Sequence, residues 1–384
     1  MRFEFATATR IVFGPGSAKE ALPALCSIGK RALLVTGSNP ARADFLRKAA
    51  DEAGMETHLV QVIGEPTVDL VRHAVAEAIP FAPQALVAIG GGSVLDAGKA
   101  IAALLANSGD PLDYLEVIGA GKPLLHPALP VIAIPTTAGT GSEVTRNAVL
   151  GSPQHGVKAS LRSPGMLPAV AIVDPLLTLD LPPALTASTG LDALTQLIEP
   201  YVCSRANPFT DGLCEQGIQR VARSLRQACR QGGDPEARED MALASLFGGL
   251  ALANAGLGVV HAFAAPVGGS YPAPHGAVCA ALLPHGIRAN VLALRREDSG
   301  HPALGRYRQV AHWLTGKASA TVDDAIQWLD DLLAELAVPR LATYGVEPSH
   351  ATGLTQKASC TSSMKANPVT LNDDELAAVI HAAI

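Results

Sequence analysis

The chain has 384 residues, of which 48% are hydrophobic and 17% are charged, and its formal net charge is −6. This length exceeds what one hydrophobic core usually supports, so two domains are expected. The few Lys and Arg residues are scattered, which excludes the basic surface typical of a nucleic-acid-binding protein.

Two composition features bear on localisation. The six cysteines form no CxxC pair, which is typical of free thiols in a reducing compartment. The first ten residues, MRFEFATATR, contain no apolar run as long as that of a signal peptide. We therefore expect a cytoplasmic protein.

One segment tests that expectation. Residues 241–287 lack Lys, Arg, Asp and Glu, and a segment this apolar is long enough to cross a bilayer. However, it contains Asn254, His261 and Pro266, is rich in Gly and Ala, and has no basic flanking anchors. These features favour a helical core that is buried on all sides, without membrane contact.

The first half of the chain alternates short aliphatic runs with helical patterns. Strands are predicted at residues 31–37, 55–63 and 85–93, and each is followed by a helical pattern. A further strand and a long polar loop are predicted within residues 129–145. This alternation is typical of a mostly parallel sheet covered by helices.

The pattern changes at the double proline Pro182–Pro183. Beyond it the strand-like runs stop and helical periodicity dominates. The sequence therefore predicts an α/β domain over residues 1–181 and an all-helical domain over residues 182–384.

A glycine-rich loop ends the third predicted strand in AIGGGSVLDAGKA. Glycines let a backbone approach a ligand closely, and a helix N-terminus such as the one at Ser93 attracts a pyrophosphate. Leu95, however, stands where the usual dinucleotide fingerprint has its third glycine. This loop alone fits a phosphate site and a tight structural turn equally well.

A second polar loop, PTTAGTGSEVT, follows the strand within residues 129–145. Loops at the carboxyl ends of parallel strands line the ligand crevice of such sheets. A polar surface loop is the alternative, but two such loops in one sheet favour a nucleotide cleft. Its hydroxyl side chains are Thr136, Thr137, Thr140 and Ser142.

Four side chains in the second half are candidate metal ligands. Asp192 and Gln196 lie four residues apart in GLDALTQLIEP and share a helix face, and His261 and His275 follow in HAFAAPVGGSYPAPHG. One carboxylate and two imidazoles suit Fe(II) or Zn(II), whereas an amide oxygen is a weak ligand. Each residue also has an ordinary structural explanation, and His285 is as plausible a ligand as His261 or His275. The spacing alone therefore does not decide whether a metal binds.

Five motifs, taken together and in order, resemble the iron-containing (group III) alcohol dehydrogenases over essentially the whole chain. They are FGPGS, GGGSVLDAGKA, PTTAGTGSEVT, GLDALTQLIEP and HAFAAPVGGSYPAPHGAVCAALLPH. The resemblance implies the dehydroquinate synthase-like fold, with a Rossmann-like N-terminal domain and an all-helical C-terminal domain. It also implies NAD(P) and a metal in the cleft between them, a small alcohol or aldehyde substrate, and a homodimer.

The resemblance also implies cofactor residues. NAD-preferring members commonly carry an aspartate after the strand at residues 31–37, where this chain has Gly37 and Ser38. Because no acid is present here to repel the 2′-phosphate of NADP, binding of NADP is expected as well as binding of NAD. The other implied cofactor residues fall into three groups. Those at the pyrophosphate are Gly91, Gly92, Ser93 and Asp96, those that line the cofactor are Thr136, Thr137, Thr140 and Ser142, and the one near the ribose is Lys158.

The family holds its metal with one aspartate and three histidines. Asp192, His261 and His275 match three of these positions, and Gln196 stands at the fourth. Ala265 replaces a further family histidine that is a candidate proton relay, so no catalytic residue is assigned. The resemblance thus implies Fe(II) or Zn(II), held more weakly than in the family, as the group that polarises the substrate oxygen.

Three other functions stay open on the sequence. A metal-independent reductase of an unsaturated keto acid, resembling maleylacetate reductase, fits the loss of two imidazoles. A lyase resembling dehydroquinate synthase shares the two-domain plan, but it needs clustered basic residues such as Arg146, Lys158 and Arg205. A non-catalytic binding protein would keep the cofactor loops without the full ligand set.

Overall fold

The computed structural model describes residues 2–384, which form two compact units. One unit is Ala6–Leu179, and the other is Asp180–Ile384 together with the residues before Ala6. Those first residues group with the second unit because the rings of Phe3 and Phe5 pack on Phe209, with centroids 5.5 and 5.6 Å away.

The first unit contains a parallel sheet, as predicted. Six strands lie in the order β1-β8-β5-β4-β2-β3, and β6 and β7 form a separate antiparallel hairpin. The strands are β1 (Arg10–Phe13), β2 (Arg31–Thr36), β3 (Glu56–Gln61), β4 (Ala85–Gly90), β5 (Val131–Pro135), β6 (Asn147–Ser152), β7 (Val157–Arg162) and β8 (Val170–Val173). The α-helices of this unit are α1 (Ala21–Cys26), α2 (Asp44–Glu52), α3 (Val68–Ala78), α4 (Gly92–Ala106) and α5 (Pro111–Tyr114).

The central strands are apolar along their whole length because both faces of the sheet are covered. Every residue of β4 and β5 is buried. In β2, Leu33 and Val35 point into one hydrophobic cluster, and Ala32 and Leu34 point into another on the opposite face. Burial on both faces is why these strands were visible in the sequence as continuous aliphatic runs.

The strand order reverses between β2 and β4. The chain leaves β2 for β3 on one side and then places β4 on the other side of β2. In an open parallel sheet, such a reversal opens a crevice at the carboxyl ends of the two strands. The predicted cofactor residues Gly37 and Ser38 follow β2, and Gly91 and Gly92 follow β4, so both loops flank this crevice.

The regular secondary structure among the described residues of the second unit is all helical, which confirms the predicted fold class. Its α-helices are α6 (Pro183–Val202), α7 (Pro208–Arg230), α8 (Pro235–Asn254), α9 (Val259–Ser270), α10 (His275–Glu297), α11 (Pro302–Thr315), α12 (Val322–Glu335), α13 (Ala351–Ser359) and α14 (Asp373–Ala383).

The uncharged segment 241–287 forms the core of this unit. It is divided among α8, α9 and the first half of α10. Helix α10 has the length and apolarity of a membrane span, but 78% of its most apolar part is buried inside the fold. Helices α8 and α9 have the length and apolarity of a membrane span only when they are taken together, and the chain bends by 98° between them. Burial of most of this segment explains the missing charges.

Candidate metal centre and cofactor loops

Helix α6 carries three polar side chains into the core of the helical unit. Asp192, Gln196 and Glu199 are spaced so that they share one helix face. Their exposed fractions are 2%, 3% and 5%. Burying two carboxylates is costly unless partners compensate the charge, so this face points to a polar site.

The partners come from α9 and α10. Oδ1 of Asp192 lies 3.5 Å from Nε2 of His261 and 3.7 Å from Nε2 of His275. Sγ of Cys279 lies 3.7 Å from Nε2 of His275. One ligand atom from each of these four residues falls within 4.8 Å of all the others. The structure thus brings together three predicted ligands and one residue that the sequence analysis did not consider; His285 is not in the group.

A glycine allows α10 to approach α6 at this point. Helix α10 begins at His275, after Pro274, and its second residue is Gly276. A Cβ atom on Gly276 would lie 2.4 Å from the carbonyl oxygen of Ser188 and 3.4 Å from Cβ of Asp192. Because the obstructing atom belongs to the backbone, it cannot move aside cheaply, and only glycine fits.

The site contains buried polar atoms without hydrogen-bond partners. They are Oδ1 of Asp192, Oε1 of Gln196 and Nε2 of His261. An unsatisfied buried polar atom typically costs about 1–3 kcal/mol, so three on one cluster need an explanation. A carboxylate oxygen and an imidazole nitrogen that face each other at 3.5 Å are the donor set of a cation site, and a bound metal would satisfy both.

Glu199 is a site residue that the sequence analysis missed. Its Oε2 accepts a hydrogen bond from Nδ1 of His261 at 2.7 Å, and its Oε1 accepts one from the backbone N–H of Val260 at 2.7 Å. The bond to Nδ1 orients the ring so that Nε2 faces Asp192, and a metal bound there would take the place of the proton on Nε2. The only sequence signal was its spacing of seven residues from Asp192 on one helix face.

The cluster shifts the pKa of its own members. Burial by itself lowers the pKa of His261, but Cys279, Asp192 and Glu199 around it raise the value well above the usual one. Cys279, followed by Asp192, raises the pKa of His275 to about 9, although partial desolvation of its ring opposes the shift. Burial by itself raises the pKa of Asp192, but His275 and His261 bring it below its usual value. The cluster therefore favours positive charge at its centre.

In the α/β unit, the two predicted cofactor loops touch each other. A Cβ atom on Gly92 would lie 2.6 Å from the Thr140 side chain, and one on Gly91 would lie 3.3 Å from Thr137. Gly91 is the extended residue before α4, whose first N–H groups have no intrahelical acceptor. The loop thus presents a helix N-terminus beside threonine hydroxyls, which suits a phosphate group.

Asp96 joins these loops to the β6–β7 hairpin. Its carboxylate accepts hydrogen bonds from Oγ of Ser142 at 2.5 Å and from the N–H of Val149 at 2.9 Å. Nζ of Lys99 lies 3.1 Å from the same carboxylate and donates to the carbonyl of Ser142. In this structure, Asp96 and Ser142 hold the loops in place with the buried Lys99.

The remaining predicted residues lie apart from this network. Gly37 follows β2 next to the start of α4, where its Cβ atom would lie 3.5 Å from Val94. Lys158 is on β7 and forms an ion pair with Glu65 at 2.7 Å. Ala265 is exposed on α9, one turn after His261, and supplies no proton-carrying group.

A parallel sheet with glycine-rich loops, followed by a helical unit with a carboxylate–imidazole cluster, fits a metal-assisted oxidoreductase. Residues 8–175 match the family described as iron-containing alcohol dehydrogenase, and residues 186–384 match the C-terminal region of that family. The chain belongs to the iron-containing alcohol dehydrogenase family.

Individual relatives agree with this assignment. The chain is 37% identical to 1,3-propanediol dehydrogenase of Klebsiella pneumoniae over 367 residues, which cover 92% of each chain. A crystal structure of 1,3-propanediol oxidoreductase matches with a TM-score of 0.92, 34% identity and complete coverage of both chains. Sulfoacetaldehyde reductase of Bifidobacterium kashiwanohense, solved with NAD+, matches with a TM-score of 0.87 and 30% identity, covering 100% of this chain and 99% of that one.

The predicted activity is therefore confirmed at the level of reaction class. The chain is an oxidoreductase that interconverts alcohols and carbonyl compounds with the help of a metal. The comparisons do not favour the reductase resembling maleylacetate reductase or the lyase resembling dehydroquinate synthase.

Proposed function

We propose that the enzyme oxidises a small alcohol, or reduces its aldehyde or ketone, with NAD or NADP as the hydride carrier. The observation that carries this proposal is the convergence of Asp192, His261 and His275, in which Oδ1 of Asp192 and Nε2 of His261 are buried without hydrogen-bond partners. The names of the relatives point to short substrates such as 1,3-propanediol.

The α/β unit is proposed to bind the dinucleotide at the reversal between β2 and β4. Support comes from Gly91 and Gly92 at the α4 N-terminus and from the NAD+ complex of a solved relative. Ser93, Thr136, Thr137 and Thr140 would offer hydroxyl donors to the cofactor. Asp96 and Ser142 would act indirectly, by fixing the loops, and Lys158 would lie toward the ribose. These residues would hold the nicotinamide in position for hydride transfer.

We also propose that the enzyme accepts NADP. Gly37 and Ser38 provide no carboxylate at the end of β2, where an acid would bind a ribose 2′-hydroxyl and repel a 2′-phosphate.

The helical unit is proposed to hold Fe(II) or Zn(II) with Asp192, His261 and His275, and with the amide of Gln196 as the predicted fourth group. When bound, the metal supplies Lewis acidity toward the substrate oxygen. Asp192 contributes the compensating negative charge. Glu199 keeps a proton on Nδ1 of His261, so Nε2 is the nitrogen that would donate its electron pair to the metal.

The accessible side of this site is at His275, whose side chain is 39% exposed, whereas those of Asp192 and His261 are nearly buried. Substrate would therefore approach from the His275 side. Since Ala265 carries no imidazole, proton exchange falls to water or to a hydroxyl of the cofactor ribose.

The test is turnover by protein loaded anaerobically with Fe(II) or Zn(II), using short alcohols with NAD+ and NADP+. We expect activity that a chelator removes and that Asp192→Ala abolishes. Activity that survives chelation would support the metal-independent reductase instead. We further propose a cytoplasmic homodimer, and light scattering on the purified protein measures the oligomeric state.

A further inference from the structure

Cys279 occupies a place in the metal cluster that the sequence did not suggest. It lies four residues after His275 on α10, so both side chains project from the same helix face. The side chain is fully buried, and its Sγ is 3.7 Å from Nε2 of His275. Cysteines of the helical unit such as Cys214 are also buried, but only Cys279 shares a cluster with carboxylate and imidazole groups.

Three of the six separations among the four ligand atoms are close to those around a tetrahedral ion, and all six are within 4.8 Å. With zinc–nitrogen, zinc–oxygen and zinc–sulfur distances of roughly 2.0–2.3 Å, neighbouring ligand atoms stand about 3.3–3.6 Å apart. The observed separations are 3.5 Å for Asp192 to His261, 3.7 Å for Asp192 to His275 and 3.7 Å for His275 to Cys279. For these three pairs, only small side-chain movements are required.

Gln196 has another role available. It follows Asp192 by one turn on the same face of α6 and contributes to the lowered pKa of that carboxyl. Its Oε1 lies 3.6 Å from where a Cβ atom of Gly248 would stand, against the backbone of α8. A neutral amide oxygen is also a weaker donor than a thiolate for Zn(II).

We propose that Cys279, as a thiolate, is the fourth protein ligand of the metal, with Asp192, His261 and His275, and that Gln196 is a positioning residue for Asp192. The Sγ–H proton leaves to solvent when the metal–sulfur bond forms. A soft thiolate ligand shifts the preference of the site from Fe(II) toward Zn(II). This inference rests on the proposed metal dependence, and it replaces Gln196, the fourth ligand predicted from the motif, with Cys279.

The experiment is anaerobic titration of Co(II), followed by absorption spectroscopy, into wild type, Cys279→Ala, Gln196→Ala and the control Cys214→Ala. A cobalt–thiolate bond gives an intense charge-transfer band in the near ultraviolet. We expect this band in wild type, C214A and Q196A and its loss in C279A. We also expect C279A to bind Co(II) more weakly by at least the roughly 10–100-fold that loss of a supporting residue typically costs.

A second measurement does not depend on any variant folding. X-ray absorption of the zinc-loaded wild-type protein should show one sulfur at about 2.3 Å from the metal. A stoichiometric metal with only nitrogen and oxygen neighbours overturns the assignment of Cys279 and, with chelator-sensitive turnover, leaves the proposed function standing. Absence of metal at every loading, with turnover that survives chelation, overturns both.

Discussion

Nδ1 of the buried His261 donates a hydrogen bond to Oε2 of Glu199 at 2.7 Å, so a carboxylate on α6 fixes the orientation of an imidazole on α9. Glu199 also accepts the N–H of Val260, which ties the first turn of α9 to α6. The same side chain therefore fixes both the position of the helix and the orientation of the His261 ring.

Glu199→Gln should weaken metal binding about 10–100-fold, because the amide no longer fixes the proton on Nδ1 of His261. Competition against a chelating dye measures the change in affinity. Glu335→Gln, which removes a carboxylate of the same unit that pairs with Arg226 and Arg230, is the control and should leave metal affinity unchanged. Equal metal affinity in E199Q and wild type would show that Glu199 has no such role.

Gly276→Ala should destabilise the helical unit by about 1–3 kcal/mol, because its methyl group would lie 2.4 Å from the backbone oxygen of Ser188. Metal affinity should fall as well, since α10 must move away from Asp192. Gly212→Ala is the matched control: it is also a helical glycine, but a Cβ atom there meets nothing within 4 Å. G212A should be neutral or slightly stabilising. Chemical denaturation measures both, and equal stability of the two variants contradicts the steric argument.

Glu143 should make the stability of the α/β unit depend on pH. Burial raises the pKa of Glu143 from its ordinary value of 4.5 to about 7. Between those values the folded state binds more protons than the unfolded state, so the free energy of unfolding falls as pH rises through this window. The upper limit of the loss is about 3 kcal/mol.

Glu143→Gln should remove this dependence, and denaturant melts at pH 5 and pH 8 measure it. The exposed Glu52→Gln carries the same charge change and should keep the wild-type pH profile. A profile of E143Q that parallels wild type would show that Glu143 does not carry the effect.

Ser38→Asp should reduce kcat/KM with NADP by about 10–100-fold through charge repulsion, and it should affect NAD far less. Ser38 is exposed after β2, so the substitution should not disturb folding. Steady-state kinetics with both cofactors measure the ratio of kcat/KM with NADP to kcat/KM with NAD. An unchanged ratio in S38D would mean that the ribose 2′-position does not lie beside residue 38.

The sequence by itself determined the parallel sheet, because β4 and β5 are buried on both faces and must be apolar throughout. It also determined the helical second unit. The hairpin of β6 and β7 escaped prediction, since its half-buried strands carry too few aliphatic residues to stand out from a loop.

Only the tertiary structure decided the composition of the cluster. Four ligands were predicted from the motifs, and three of them meet in the cluster. Glu199 and Cys279 were not predicted, because a glutamate on a helix and a cysteine in an apolar helix have many ordinary explanations. Their role depends on which helix faces meet, and that depends on close packing between segments more than sixty residues apart. Gly276 illustrates the reason: its importance lies in a backbone oxygen of α6 that no local pattern reveals.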